Sequence, residues 1–422
     1  MMIRTIPAAT FALVALHAPA ALAQQDAPTP WDEPRAIARA VARAPEVRRA
    51  SSLLAEARAR QAWGQVPVVG NPVVSLRAMV GVPDTPAATW GLFVGLPFDV
   101  SGARARRRDE AAWGEREAEA RVDAAVNEAR HRARVAWVGL SLAEAAVSVA
   151  EARRATSEEM LARVHARADA HASTALDLAL AERDAAEADT ELHAARRVRE
   201  DARARFRDAL DLDPTEPLAV PPLGPPSLPA ESLAVSLEAA RANRAEPRAS
   251  AAAASRLRTA SRRLRAESVA PVVVAAEYEW QGYVQSSVGA SAQWALPVAR
   301  TAQGERAEAL AAANSADVER ELATRGVARE TVAAWSALRH AVDEVSALDA
   351  RVIPAAERTV SLTEALASSG AVEFFRVLSA RQQLATARVR RVDALREAWR
   401  ARLELDRATA TVTTTSQGSS TP

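Results

Sequence analysis

Side chains that could carry a reaction are numerous in this sequence, but nothing gathers them. Asp and Glu number 53 and are evenly scattered, so no pair stands out at the spacing a general acid and base would need. The six histidines, His17, His131, His165, His171, His193 and His340, show no metal-ligand spacing,. Cysteine is absent, which excludes disulfides, thiolate metal sites and an acylated N-terminal cysteine. All 54 basic side chains are Arg, and a chain without lysine has no P-loop lysine, no kinase lysine and no Schiff base. No glycine-rich phosphate loop is present either. The sequence therefore predicts no enzyme, no cofactor and no metal site. Arg104, Arg106, Arg107 and Arg108 form a dense basic cluster. They open a helix of an exported chain whose formal net charge is only +1, so they read as a solvated face near lipid headgroups and not as a nucleic-acid site.

With chemistry set aside, the elements themselves carry the information. Residues 1–23 read as a secretory signal: Arg4, an apolar run from Phe11 to Leu16, then Ala21-Leu22-Ala23,. No later run reaches the ~18 consecutive apolar residues of a membrane helix. A first helix is predicted from Trp31 to about Trp63, with Pro34 in its opening turn and Pro45 breaking or kinking it,. The period then switches to two. A hairpin is predicted over 71–98: in its first strand Val74, Leu76, Ala78 and Val80 fall on one face and Val73, Ser75, Arg77 and Met79 on the other, and in its second Trp90, Leu92, Val94 and Leu96 face one way and Gly91, Phe93 and Gly95 the other,. A long helix over 103–168 follows, its small apolar residues spaced alternately by four and three from Val126 to Val147, the period of a supercoiled helix,. A return helix over 175–212 makes it a helical hairpin. The prolines of 213–230 then impose an extended linker,.

After the linker the plan repeats. Residues 231–410 contain a helix, a hairpin over 271–298, a long helix over 303–367 with Pro354 expected to kink it, and a return helix over 371–410; 411–422 is a polar tail. Leu296-Pro297 lies 200 residues after Leu96-Pro97, Pro271 lies 199 after Pro72, and Ala334-Trp335 lies 198 after Ala136-Trp137. The mature chain, 24–212 plus 231–410, is a tandem duplication, mainly α with a small β part.

Strands of about ten residues match a tilted membrane-spanning strand. They would serve equally as strands with one face packed on the helices of a soluble periplasmic coiled-coil scaffold or adaptor. Of the 17 aromatic residues, seven fall in the two hairpins, and Trp90, Tyr278, Trp280 and Trp294 are candidates for a lipid-interface girdle. Arg77, Glu277, Glu279 and Gln293 are candidates for a water-filled lumen, or else plain solvated charges and amides. If lipid is outside, four strands per chain cannot close a barrel, whereas three chains would supply twelve.

The ordered set of signal segment, duplicated plan, Asn71-Pro72, Leu96-Pro97 before Ser101-Gly102, and hairpin turns at 173–178 and 370–380 resembles the TolC-like outer membrane factors. In general layout the chain is similar to their CzcC-like heavy-metal efflux branch. The resemblance covers essentially all of the mature chain. It implies a homotrimer in the outer membrane whose 12-stranded transmembrane β-barrel continues into a periplasmic α-barrel. Such a channel is the exit duct of a tripartite efflux or type I secretion system, docked to a periplasmic adaptor and an inner-membrane pump. It also implies adaptor-facing tips at Ser173, Thr174, Leu176 and Asp177 in the first repeat and at Gly370, Val372, Glu373 and Phe374 in the second. Capping and packing of a helical hairpin would use the same residues. Where the family commonly has glycine in the first tip, this chain has His171.

Overall fold

A computed structural model describes residues 30–64, 70–80, 88–171, 173–229, 231–281, 285–296, 298, 301–369, 372 and 374–411. The expected signal segment and the tail beyond Thr411 lie outside the described residues. The first half runs α1 (Glu33–Arg43), α2 (Pro45–Arg60), a 3-10 turn (Gln61–Gly64), β1 (Val73–Met79), β2 (Thr89–Phe98), α3 (Ala103–Asp169) and α4 (Ala175–Leu210). The second half repeats the order with α5 (Leu233–Asn243), α6 (Ala245–Glu267), β3 (Val272–Gln281) and β4 (Gln285–Gln293). It ends with α7 (Gln303–Ala347), a π turn (Leu348–Val352), α8 (Ile353–Ser368) and α9 (Phe374–Thr409).

Backbone landmarks recur at the same spacing. Gly102 and Ala302 both take the left-handed conformation directly before a long helix, with φ of 72° and 52°. Asp211 and Ala410 do so directly after a return helix, with φ of 52° and 51°. The predicted break at Pro45 falls at Ala44, whose ψ of 121° is not helical. The second half is broken at the same place, Arg244 with ψ 131°, where continuous helix was expected over 231–268. Pro247 supplies the reason, since it has no N–H to donate to the Asn243 carbonyl and the helix must restart. Pro354 does not end its helix. The π turn immediately before it absorbs the missing hydrogen bond,.

α3, at 67 residues roughly 100 Å long, is the hub. It packs against α1, α2, α4, α6 and α9. α1 sits against α3 and α4, and α5 sits in the equivalent place against α7 and α9. The halves meet through α3 with α6 and α9, while α2 and α7 do not touch. Ala133, Ala188, Ala240, Ala313 and Ala398 have essentially no exposed surface, so alanine at the seams is what brings the backbones together.

The largest apolar cluster lies where the helices cross the linker, and holds Trp31, Trp137, Leu140, Leu142, Phe206, Leu210, Leu395 and Trp399. One window of α3 is apolar enough by composition to cross a membrane, but Leu140, Leu142, Ala143 and Val147 within the helix are buried among other helices. The linker is a bound strap. Leu218, Val220 and Leu223 pack on this cluster, and its carbonyls accept hydrogen bonds from Ser141 Oγ (to Pro221, 2.7 Å), Trp399 Nε1 (to Gly224, 2.9 Å) and Arg402 Nη1 (to Ser227, 2.9 Å). The carbonyls of this non-helical segment have no helix or ladder to serve, so side chains satisfy them.

Beneath the strap lies a buried ionic network. Arg134 on α3 pairs with Glu33 on α1 and, at 2.7 Å, with Asp406 on α9; Asp406 also accepts from Arg402 at 3.0 Å. All four are buried. Burial opposes the Arg134 charge, but Asp406 and Glu33 outweigh it and hold its pKa above the ordinary arginine value,. We expect Arg134→Met to leave two buried carboxylates without their shared cation and to cost about 3–5 kcal/mol, read as a lowered helical unfolding midpoint; an unchanged midpoint would contradict the role assigned to this ion cluster.

Candidate functional site

The four strands form one antiparallel sheet in the order β1-β2-β3-β4. The two hairpins are thus joined through β2 and β3, and β1 and β4 are its free edges. No helix packs on the sheet among the described elements, so the reading in which the strands cover helices of a soluble scaffold does not fit.

Register sorts the residues. Trp90 lies opposite Ala78 and Trp280, Leu92 opposite Leu76 and Tyr278, Val94 opposite Val74 and Ala276, and Leu96 opposite Val274. β4 adds Val288, Ala290 and Ala292 to that face. This face is apolar almost throughout and is exposed, Leu76 at 68% and Val288 at 82%. The other face carries Ser75, Arg77, Glu277, Glu279, Gln281, Ser287, Ser291 and Gln293, interspersed with Val73, Met79, Phe93, Val273 and Ala275. Along β2 its residues Gly95 and Pro97 are buried while their outward neighbours Leu96 and Phe98 are exposed. That alternation makes the polar face the concave one. Gly95 is needed there, because a Cβ would come within 2.8 Å of the Phe93 ring and 2.9 Å of Val273 Cγ1.

The structure places each strand candidate on a definite face. Arg77, Gly91, Glu279 and Ser287 form one row across the concave face. Ser291 Oγ donates to Glu277, and Gln281 Nε2 donates to Glu279 at 3.2 Å. Gln293 shares that face opposite Val273. On the apolar face, Trp90, Trp280 and Tyr278 cluster at one end of the sheet. Trp294 lies past the end of β4 near the helices, its Nε1 donating to Ala270 O at 3.2 Å, at the level of Phe98. Eight residues of strand separate Trp90 from Phe98, about 26 Å along the strand and about 20 Å along a barrel axis at ~40° tilt, near the ~25 Å apolar band of membrane barrels. Sequence reading did not single out Ser287 and Ser291, which become visible only once β4 is placed in register.

At the far end of the helices, α3 and α4 are joined by a tight turn. His171 takes φ 55°, so a histidine fills the left-handed position that favours glycine. Thr174 and Asp177 form a reciprocal capping box: the Asp177 N–H donates to Thr174 Oγ1 at 3.1 Å, and the Thr174 N–H donates to Asp177 Oδ2 at 2.9 Å,. Ser173 Oγ donates to Val164 O at 3.4 Å. Leu176 is 67% exposed, and Phe375 on the first turn of α9, a residue that sequence reading passed over, is 54% exposed. Val372 is half-buried. Phe374 begins α9, and Gly370 and Glu373 lie outside the described residues. Among the described residues no group of three or more His, Asp or Glu could hold a metal ion.

His171→Gly is expected to relieve roughly 1 kcal/mol of left-handed strain, seen as slower amide exchange in the 168–178 turn. Faster exchange would show that the imidazole contributes more than the strain costs.

No protein-family model and no curated protein matches the chain. Solved structures do. CusC, studied for the conformational changes accompanying its folding and transmembrane channel formation, superimposes with a TM-score of 0.72 at 17% identity over 90% of this chain and 92% of its own. The outer membrane protein VceC of Vibrio cholerae gives 0.70 at 15% identity over 90% and 96%. The open-state outer membrane channel MtrE of Neisseria gonorrhoeae gives 0.70 at 18% over 90% and 89%. Over nine-tenths of its length, this chain has the fold of outer-membrane channel proteins.

Proposed function

We propose that the chain is one third of a passive outer-membrane exit duct, serving a tripartite efflux or type I secretion system. The carrying observation is the sheet, with an apolar convex face, a polar concave face and two unpaired edges. In water such a surface would aggregate, and in lipid its edges would be unsatisfied. Both problems vanish if β4 of one copy pairs with β1 of the next, as β2 already pairs with β3 within the chain. Three copies then make a twelve-stranded barrel. The same substitution of neighbour for repeat lets α7 meet α2 of the next copy, continuing the α3 to α6 contact around a helical barrel in the periplasm.

In this reading Arg77, Glu277, Glu279 and Gln293 line the lumen, and Trp90, Tyr278, Trp280 and Trp294 sit at the lipid interfaces. Ser173 and Leu176 in the first repeat, and Gly370, Val372, Glu373 and Phe374 in the second, belong to the tips that meet a periplasmic adaptor coupled to an inner-membrane pump. Thr174 and Asp177 hold the first tip in shape. The channel performs no reaction, takes no cofactor and conducts what its partners deliver. The CzcC-like heavy-metal branch is the subgroup its layout resembles.

The test exploits solvent identity. Val94, exposed in the single subunit, would accept Arg within about 0.5 kcal/mol on a water-facing surface, but at mid-bilayer the same change costs about 2–4 kcal/mol. We expect Val94→Arg to deplete the heat-modifiable, membrane-embedded trimer and Ser287→Arg on the concave face to spare it. Equal tolerance of both, or recovery of a soluble monomer from the periplasm, would refute the duct.

A further inference from the structure

α3 and α7 stand 198 residues apart in the repeat, as Trp137 and Trp335 do, and their buried positions coincide at Ala118 and Ala316, Ala129 and Val327, and Leu140 and Leu338. One face departs from this. Glu117 and Ala120 are buried on α3, but their counterparts on α7, Ser315 and Val318, are exposed. Val318 and Leu322, a turn apart on one face, are 56% and 57% exposed.

On α3 that face is covered by α6. The two helices run antiparallel: Arg256 Nε lies 2.7 Å from Glu117 Oε2 and Arg248 Nη2 lies 3.0 Å from Asp123 Oδ2. Ala120 and Ala252 fall between these two ion pairs, and both are buried. Toward α7, α6 turns a different face, where Arg258 pairs with Asp317 as Arg58 of α2 pairs with Glu119 of α3. So α6 does for α7 what α2 does for α3. Among the described residues no helix does for α7 what α6 does for α3.

α2 has the matching free face. The breaks at Ala44 and Arg244 put α2 and α6 at an offset of 200, so Arg248, Ala252 and Arg256 correspond to Arg48, Ser52 and Glu56. All three are exposed, and Arg48 has no acidic partner among the described residues. The counterpart of Asp123 on α7 is Glu321. It pairs one turn away with Arg325, both side chains being largely exposed, a contact that contributes little. A free cation on α2 and a weakly held carboxylate on α7 thus stand where the chain already holds Arg248 on Asp123.

We propose that the face of α7 bearing Val318, Glu321 and Leu322 docks α2 of a second copy of this chain, with Glu321 paired to Arg48 and Val318 seated on Ser52. This rests on the duct reading, which brings α7 beside α2 of the next copy, and adds the register and chemistry of that contact. Charge complementarity and continuity with the α3 to α6 contact single out this occupant. The seam between copies is more apolar than the one within a chain, because Val318 replaces Ala120 and the pair of Arg256 with Glu117 becomes Glu56 facing Ser315. It joins two different faces, so it runs one way around a ring and leaves no face free once the ring closes.

The chain has no cysteine, so an introduced pair reports one contact. In the full-length protein, S52C/V318C treated in outer membranes with a short bismaleimide is expected to give covalent dimers and trimers on denaturing gels. S52C/V198C, with the second cysteine on α4, should run as a monomer. R48E and E321R should each lower the recovery of heat-modifiable trimer roughly threefold, and R48E/E321R should restore it. An embedded, heat-modifiable S52C/V318C trimer that does not cross-link, or a charge exchange without recovery, overturns the seam and leaves the duct standing. Should S52C/V318C fail to assemble, the charge exchange decides alone. A wild-type chain that does not embed overturns both.

Discussion

A backbone N–H or C=O left unpaired in hydrocarbon costs several kcal/mol, and this chain ends its sheet with two rows of them. Everything else in the architecture answers that constraint. β1 and β4 cannot be satisfied within one chain, because β2 and β3 occupy the middle of the sheet. Among the described residues no helix lies over either face, and none of them takes the place of a neighbouring strand. The duplication turns this deficit into a rule for assembly. The contact that joins the two halves already exists once inside the chain, in the β2 to β3 ladder and the α3 to α6 seam. Repeating it between chains closes both edges without a new kind of interface.

The helical portion meets a different demand. In the proposed duct the wall is one helix thick with water on both sides, so each long helix can bury only its lateral seams. This accounts for a composition in which alanine fills the contacts and arginine with carboxylates covers the rest. It also explains why most ion pairs, such as Arg58 with Glu115 or Arg391 with Asp349, are solvent-exposed and individually weak. Such a wall has little to fix the relative position of its helices along their length. The girdle at Trp31, Trp137 and Trp399, the strap over 213–229, and the buried Arg134 network supply the fixed point. An ionic cluster adds little net stability over a well-packed apolar one, but it accepts one alignment of α1, α3 and α9 and penalises slippage by a turn.

Much of this was legible in the residues because both periods are strong. Alternation in Val74-Leu76-Ala78 and Trp90-Leu92-Val94 separated the two faces of each strand before any register was known, since a one-residue slip would move Arg77 or Glu277 onto the apolar face. The long helices were visible in the spacing of Ala and Leu. Where the reading missed, a local signal was overridden or shared between two outcomes. The break at Arg244 was hidden because Pro247 is compatible with a first helical turn and says nothing about the residue three before it. The prolines of 213–229 correctly indicated extended chain, but not that Ser141, Trp399 and Arg402 would bind its carbonyls, because those partners are distant in sequence.

The tip turn shows how a departure from glycine can be physically coherent. Left-handed backbone at His171 costs a residue with a Cβ something that glycine would not pay, yet the next few residues compensate with two reciprocal hydrogen bonds between Thr174 and Asp177. A capping box fixes the start of α4 regardless of how α3 ends, so the turn can absorb strain on one side without losing the direction of the helix on the other. The exposed Leu176 then projects from a rigid frame, and its position is set by the cap and not by the turn's flexibility. At the end of a helix roughly 100 Å long a local restraint of this kind matters, because looseness there cannot be corrected by packing elsewhere.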